Sequence, residues 1–91
     1  MDSTIVRPWY VYIVRCCDNS LYTGVAMNVP RRVAEHNLGN YLAARYTRAR
    51  RPVELVYWEE LSNRSQACKR EYEIKQMDRK DKEMLIGIGS D

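Results

Sequence analysis

No stretch of this sequence approaches the ~18–20 consecutive apolar residues that a membrane-spanning helix needs, so none is expected. The opening MDSTIVRP has no apolar signal core, which points to a cytoplasmic protein. Cysteines are few and badly placed for disulfides. Cys16 and Cys17 are neighbours, and Cys68 lies far along the chain. With the single histidine, His36, they also miss the C-x₂₋₄-C spacing of structural zinc sites, so reduced, packed thiols are expected. There is no internal repeat and no low-complexity tract. A chain of 91 residues makes one domain with a small core, burying only about 60–65% of the surface its unfolded form exposes.

The net charge of +3 is modest, but it is unevenly placed. Residues 28–52 hold Arg31, Arg32, Arg45, Arg48, Arg50 and Arg51 against one acid, Glu35; that segment is +5 and the rest of the chain −2. All six bases are arginines, whose planar fork suits bidentate phosphate contact. A solvated charge run is the plain alternative. A local excess on an otherwise near-neutral protein favours a polyanionic partner, and nucleic acid fits best. No membrane and no obligate protein partner is indicated.

Residues 1–8 read as a flexible arm, 9–86 as the folded domain and 87–91 as a loose tail. Alternation over Trp9–Cys16 and again over Ser20–Val25, around Asp18-Asn19, predicts a β-hairpin. Its loop carries a condition. Tyr12 and Tyr22 share a face of the sheet only if the loop is odd-numbered or bulged. Asn28 as cap, Pro30 in the first turn and Gly39 as terminator predict a helix over Val29–Leu38, with Arg32 and His36 stacked one turn apart. Arg31 and Glu35 would form a surface pair of little worth. The connection Gly39–Pro52 is long, and Tyr46 among its arginines suits phosphate contact with one stacked base. A helical turn around Tyr41–Arg45 is possible there. Val53–Glu60, apolar on both alternations, predicts a central strand. A helix from Ser62-Asn63 to about Met77 would turn Ala67, Cys68, Tyr72 and Ile74 inward with Glu71 among them, and Lys69, Arg70 and Glu73 outward. A carboxylate on such a face is either paired with an arginine or holds a metal. A last helix from Asp78 would pack Met84, Leu85 and Ile88 back. Tyr10, Tyr57 and Trp58 are read as packing residues.

Tyr10-Val11-Tyr12, Tyr22-Thr23-Gly24 ten residues after Tyr12, Arg32 eight after Gly24, His36, and Glu71 in a late helix resemble the GIY-YIG nuclease superfamily, in its short stand-alone branch. AARYTRARRPVELVY and REYEIKQM are similar to segments of that branch, and the resemblance spans roughly residues 8–85. It implies an α/β (α+β) fold with a three-stranded antiparallel sheet flanked by helices, in the order β-β-α-β-α-α. It also implies metal-dependent hydrolysis of phosphodiester bonds. By that resemblance Tyr12, Tyr22, Arg32, His36 and Glu71 are the catalytic positions and Glu71 holds one Mg²⁺ or Mn²⁺. Tyr12 or Tyr22 would take the proton from the attacking water, and we favour Tyr12 as the base with Tyr22 as its partner. The loop residues Arg45, Tyr46, Arg48, Arg50 and Arg51 would contact nucleic acid, DNA in the first instance. Tyr10 and Thr23 depart mildly from the motif. The lysine that some members carry after the second motif is missing, as is the asparagine after the glutamate. With no appended recognition domain, sequence specificity should be low. The alternative is a binding module that keeps the basic loop and has lost efficient cleavage.

Overall fold

Apolar alternation from Trp9 onward builds β1 (Trp9–Cys16), which pairs antiparallel with β2 (Leu21–Ala26) and, on its other side, with β3 (Val53–Leu61). A computed structural model describes residues 7–89 and shows this three-stranded sheet in the order β2-β1-β3. The helices are α1 (Val29–Leu38), a four-residue turn α2 (Arg45–Arg48), α3 (Arg64–Gln76) and α4 (Arg79–Gly89). The α+β architecture and the element order are those the resemblance implies. The short α2 lies slightly later than the turn expected around Tyr41–Arg45. No helix among the described residues is long and apolar enough to cross a membrane.

β1, not β3, is the central strand. β3 was expected there because it is apolar on both alternations, and two features of the fold account for that pattern. The pairing of β1 with β3 slips between Ile13 and Val14, with Ile13 opposite Tyr57 and Val14 opposite Leu55, so Val56 is an extra residue. Helices also cover both faces of the sheet. Tyr12, Val14 and Cys16 pack with Ala26, Val29 and Val53 on one side, while Val11 and Ile13 pack with Ile74 and Ile86 on the other. An edge strand covered on both faces carries the same signature as a central one. Each buried Val or Ile contributes about 1.5–3 kcal/mol by leaving water.

The local signals of α1 act as their chemistry requires. The Asn28 side chain accepts from the Arg31 N–H at 3.1 Å, and Gly39 ends the helix at φ 71°. The Asn37 amide then clamps the start of β3, donating to the Val53 carbonyl at 3.0 Å and accepting from its N–H at 2.7 Å. Asn63 caps α3 by accepting from Gln66 N–H at 2.9 Å.

The outer helices depart from the expected phase. Ala67 and Ile74 are fully buried on α3, but Tyr72 is 68% exposed. Arg70, expected outward, reaches Glu59 of β3 at 3.0 Å and Glu73 at 3.1 Å. On α4, Ile86 and Leu85 pack inward, whereas Met84 and Ile88 face out. α4 is pinned to the hairpin by Glu83, which takes both guanidinium nitrogens of Arg15 (2.8 and 2.9 Å) and Arg79 as well. The helix continues through Gly87, where a loose tail was expected. Residues 1–6 of the expected arm and 90–91 of the tail lie outside the described residues.

Candidate functional site

Side chains alternate along strands, so the hairpin loop decides whether the two tyrosines meet. Cys16 N–H donates to the Ser20 carbonyl and Asn19 N–H to the Cys16 carbonyl, both at 2.8 Å, with Asn19 left-handed at φ 70°. This closes a three-residue loop, the odd number that parity demands. Tyr12 then lies opposite Gly24, and Val14 opposite Tyr22, with both tyrosines on the face covered by α1. Gly24 is required by that packing. A Cβ there would stand 2.6 Å from the Tyr12 hydroxyl, which lies across the partner strand.

α1 brings His36 down onto the phenols. Its Nε2 is 2.8 Å from the Tyr12 hydroxyl and its Nδ1 is 2.8 Å from the Thr47 hydroxyl. The Tyr22 ring stands edge-on to the imidazole, with centroids 5.4 Å apart. His36 and Thr47 are completely buried and Tyr12 is 1% exposed. Burial, then the charge of Arg32, push the His36 pKa down to about 4 against a partial offset from Glu35, so the ring is neutral near physiological pH. Burial also raises the Tyr12 pKa strongly. Tyr22 and Glu71 add to the rise, and the nearby charge of Arg32 opposes it.

The neutral, buried histidine makes a testable contribution to stability. From the ordinary value of 6.5 down to about 4, the unfolded chain binds a proton that the folded one refuses, so stability falls as pH falls through that window. The loss should reach up to about 3 kcal/mol. Urea unfolding at a series of pH values checks it, and a His36→Gln protein should lack this slope. A flat profile between about pH 7 and about pH 5 would contradict the assignment.

Arg32 sits one turn before His36. Its Nη1 donates to Glu35 Oε1 at 2.9 Å and to the Leu42 carbonyl. Glu35, expected to pair with Arg31, thus holds Arg32 more closely; its approach to Arg31 is 3.6 Å. Tyr22 is half-buried, and its hydroxyl makes no hydrogen bond among the described residues. Its ring stacks on Tyr46 at 5.8 Å, and the Arg50 guanidinium lies 4.0 Å over Tyr46.

The arginines of the loop divide into two groups. Arg50 also pairs with Asp18 at 3.2 Å and donates to the Tyr46 carbonyl, while Arg51 donates to the carbonyls of Arg48 and Leu38. These two hold the loop's own backbone. Arg48 has one long bond, 3.4 Å to the Ala43 carbonyl, and the Arg45 side chain makes none among the described residues. Arg45 and Arg48 are therefore the loop arginines least engaged within the fold.

Glu71 is half-buried on α3, which packs across β1 and β2. Its partner is Lys75, 3.1 Å from Oε2, rather than an arginine, and Oε1 has no partner among the described residues. Of the other four positions only Tyr12 feels its charge, and no hydrogen bond joins Glu71 to any of them among the described residues. No group of three or more His, Cys, Asp or Glu that could cage a metal occurs among the described residues. One free carboxylate oxygen fits a hard cation that keeps its waters and borrows substrate oxygens, as Mg²⁺ and Mn²⁺ do.

Two residues were not singled out from the sequence as part of this site. Thr47 was overlooked because nothing local marks a loop threonine as the partner of a histidine eleven residues away. Trp58 was read as packing. It is 58% exposed, stands edge-on to Tyr10 at 6.0 Å, and with Leu55, Met27 and Pro30 lines an apolar hollow of about 420 Å³ on the same side as Tyr12.

Known proteins provide an independent comparison. The model of the GIY-YIG catalytic domain matches residues 8–84. A UPF0213 protein of Desulfotalea psychrophila is 54% identical over 88% of this chain and 73% of its own length. Another, from Staphylococcus haemolyticus, is 56% identical over 85% and 92% respectively. The solution NMR structure of a UPF0213 protein from Bacillus halodurans is 38% identical, covers 91% of this chain and 86% of its own, and superposes with a TM-score of 0.59.

Proposed function

Because this chain belongs to the GIY-YIG family, whose catalytic-domain model spans nearly all of it, we propose that it is an endonuclease. It hydrolyses phosphodiester bonds in DNA with little sequence preference, using one Mg²⁺ or Mn²⁺ ion. One observation carries the reading: a buried phenol hydrogen-bonded to a neutral imidazole, with a guanidinium acting on the same oxygen. Such a cluster matches what the hydrolysis of a phosphodiester requires.

Phosphodiester cleavage needs a proton removed from water and negative charge met at the phosphoryl oxygens. Burial raises the Tyr12 pKa and favours the neutral phenol over a resting phenolate as base. Instead the phenol oxygen takes the proton of the attacking water as its own proton passes to Nε2 of His36. Tyr22, the outer phenol with a free hydroxyl, orients that water. The N–H groups of Arg32 not engaged by Glu35 and Leu42 bind the phosphate. A divalent ion held by Glu71 would supply electrostatic stabilisation of the developing charge. Arg45 and Arg48 hold the flanking backbone, and the hollow beside Trp58 offers stacking surface for a base.

The test is nicking of a panel of labelled DNA structures with Mg²⁺, Mn²⁺ or EDTA. Cleavage should require the metal, and Glu71→Ala should need about tenfold more metal for the same rate, equivalent to ~1.4 kcal/mol. The variant should stay folded, because the exposed pair with Lys75 contributes little. Its salt-sensitive binding to DNA should persist. Cleavage indifferent to EDTA would overturn the metal role. Binding without cleavage under every condition would leave a nucleic-acid-binding module.

A further inference from the structure

Thr47 has no place in the reaction as described so far, yet its hydroxyl is buried against the imidazole. We propose that Thr47 is a positioning residue: it holds His36 in the Nδ1–H tautomer and so keeps Nε2 as the acceptor for the Tyr12 proton. Only the catalytic arm of this inference rests on the nuclease reading.

The polarity follows from counting protons. The Thr47 hydroxyl carries one proton and donates it to the Ala44 carbonyl at 3.0 Å. Toward Nδ1, at 2.8 Å, it can therefore offer only a lone pair, so Nδ1 must be the donor. A neutral imidazole has a single ring proton, which leaves Nε2 bare to accept from the Tyr12 hydroxyl at 2.8 Å. The other end of the chain agrees. With the opposite polarity, the Tyr12 oxygen would accept from Nε2–H. Its own proton would then have no acceptor among the described residues, at a side chain only 1% exposed. A buried donor left unpaired costs about 1–3 kcal/mol.

Placement by α2 gives the device a second meaning. Thr47 points inward from the turn that carries Arg45 and Arg48, the two loop arginines least engaged within the fold. The segment assigned to the DNA backbone therefore also sets the protonation of the catalytic histidine. Valine would fill the same space without the hydroxyl, so the hydroxyl rather than its volume can be tested directly.

His36 is the only histidine in the chain, so the ¹⁵N resonances of its two ring nitrogens report one residue without ambiguity. In the wild type, near neutral pH and without substrate, Nδ1 should appear protonated and Nε2 bare. Thr47→Val should move population to the Nε2–H form, and Thr47→Ser should restore the wild-type pattern. In cleavage, Thr47→Val should lower kcat about 10–100-fold, by analogy with the loss when the outer partner of a metal-bound histidine is removed. KM should change less than about twofold, because the substrate is not touched, and Thr47→Ser should recover most of kcat. A wild-type ring resting as Nε2–H overturns the proposal, as does an unchanged tautomer in Thr47→Val. A tautomer shift with unchanged kcat also overturns it. Should the wild type cut no DNA at all, the nuclease reading falls, while the spectra still decide what Thr47 does.

Discussion

Tyr12→Phe should slow DNA nicking by about 10²–10⁴-fold, the range a positioned general base contributes, while the protein stays folded. The ring keeps its place, since phenylalanine fills the same space against Val14, Ala26 and Val29. What goes is the oxygen that bonds Nε2 of His36. The buried nitrogen is left without its donor, at a cost of about 1–3 kcal/mol, so thermal stability should drop measurably. Tyr22→Phe supplies the contrast. That hydroxyl has no partner among the described residues, so stability should hardly move and the rate should fall less. Access and chemistry point opposite ways for the two phenols. Tyr22 is the more open to water, but only Tyr12 has an acceptor for its own proton. A larger rate loss for Tyr22→Phe than for Tyr12→Phe would transfer the base to Tyr22.

Much of this arrangement could be read from the chain because its determinants are local. Asn28, Pro30 and Gly39 fix the ends of α1, and the interval of four residues puts Arg32 and His36 on one face whatever the rest of the fold does. The parity of the hairpin could be stated as a condition, and the left-handed Asn19 meets it. The errors lie where a distant surface decides. An extra residue at Val56, set against the central β1, let β3 place apolar side chains on both sides from the edge of the sheet. Turning α3 by a fraction of a turn exchanged Arg70 for Tyr72, because Glu59 on β3 provides a partner that no helical pattern reveals. The contacts of Arg50 and Arg51 with backbone carbonyls and with the ring of Tyr46 are likewise beyond what a charge count reveals. Glu71 could be recognised as a carboxylate needing a reason. The same spacing puts Lys75 one turn on, and Lys75 is its partner in the fold.

Gly24→Ala should do as much damage to the rate as Tyr12→Phe, from a position that carries no chemistry. Its Cβ would lie 2.6 Å from the Tyr12 hydroxyl oxygen and 2.8 Å from Cζ, so something must yield. β2 cannot withdraw easily, because its pairing with β1 runs from Tyr10–Ala26 to Arg15–Leu21 on both sides of this position. The phenol has to swing, and its geometry toward His36 goes with it. Overpacking of this kind costs about 1–3 kcal/mol. For a domain of this size that is a fall of roughly 5–20 °C in Tm. A double-mutant cycle separates this account from general loosening. If Gly24 acts through the Tyr12 oxygen, Gly24→Ala and Tyr12→Phe together should be scarcely slower than either alone, since both remove one interaction. Rate losses that multiply would mean that the added methyl disturbs the site by some route other than the phenol. In stability the pair should be less than additive as well, because removing the hydroxyl relieves the 2.6 Å contact while the one at 2.8 Å remains. In the proposed mechanism the glycine of the second motif thus serves the base: it is the space in which the Tyr12 phenol is held against its histidine.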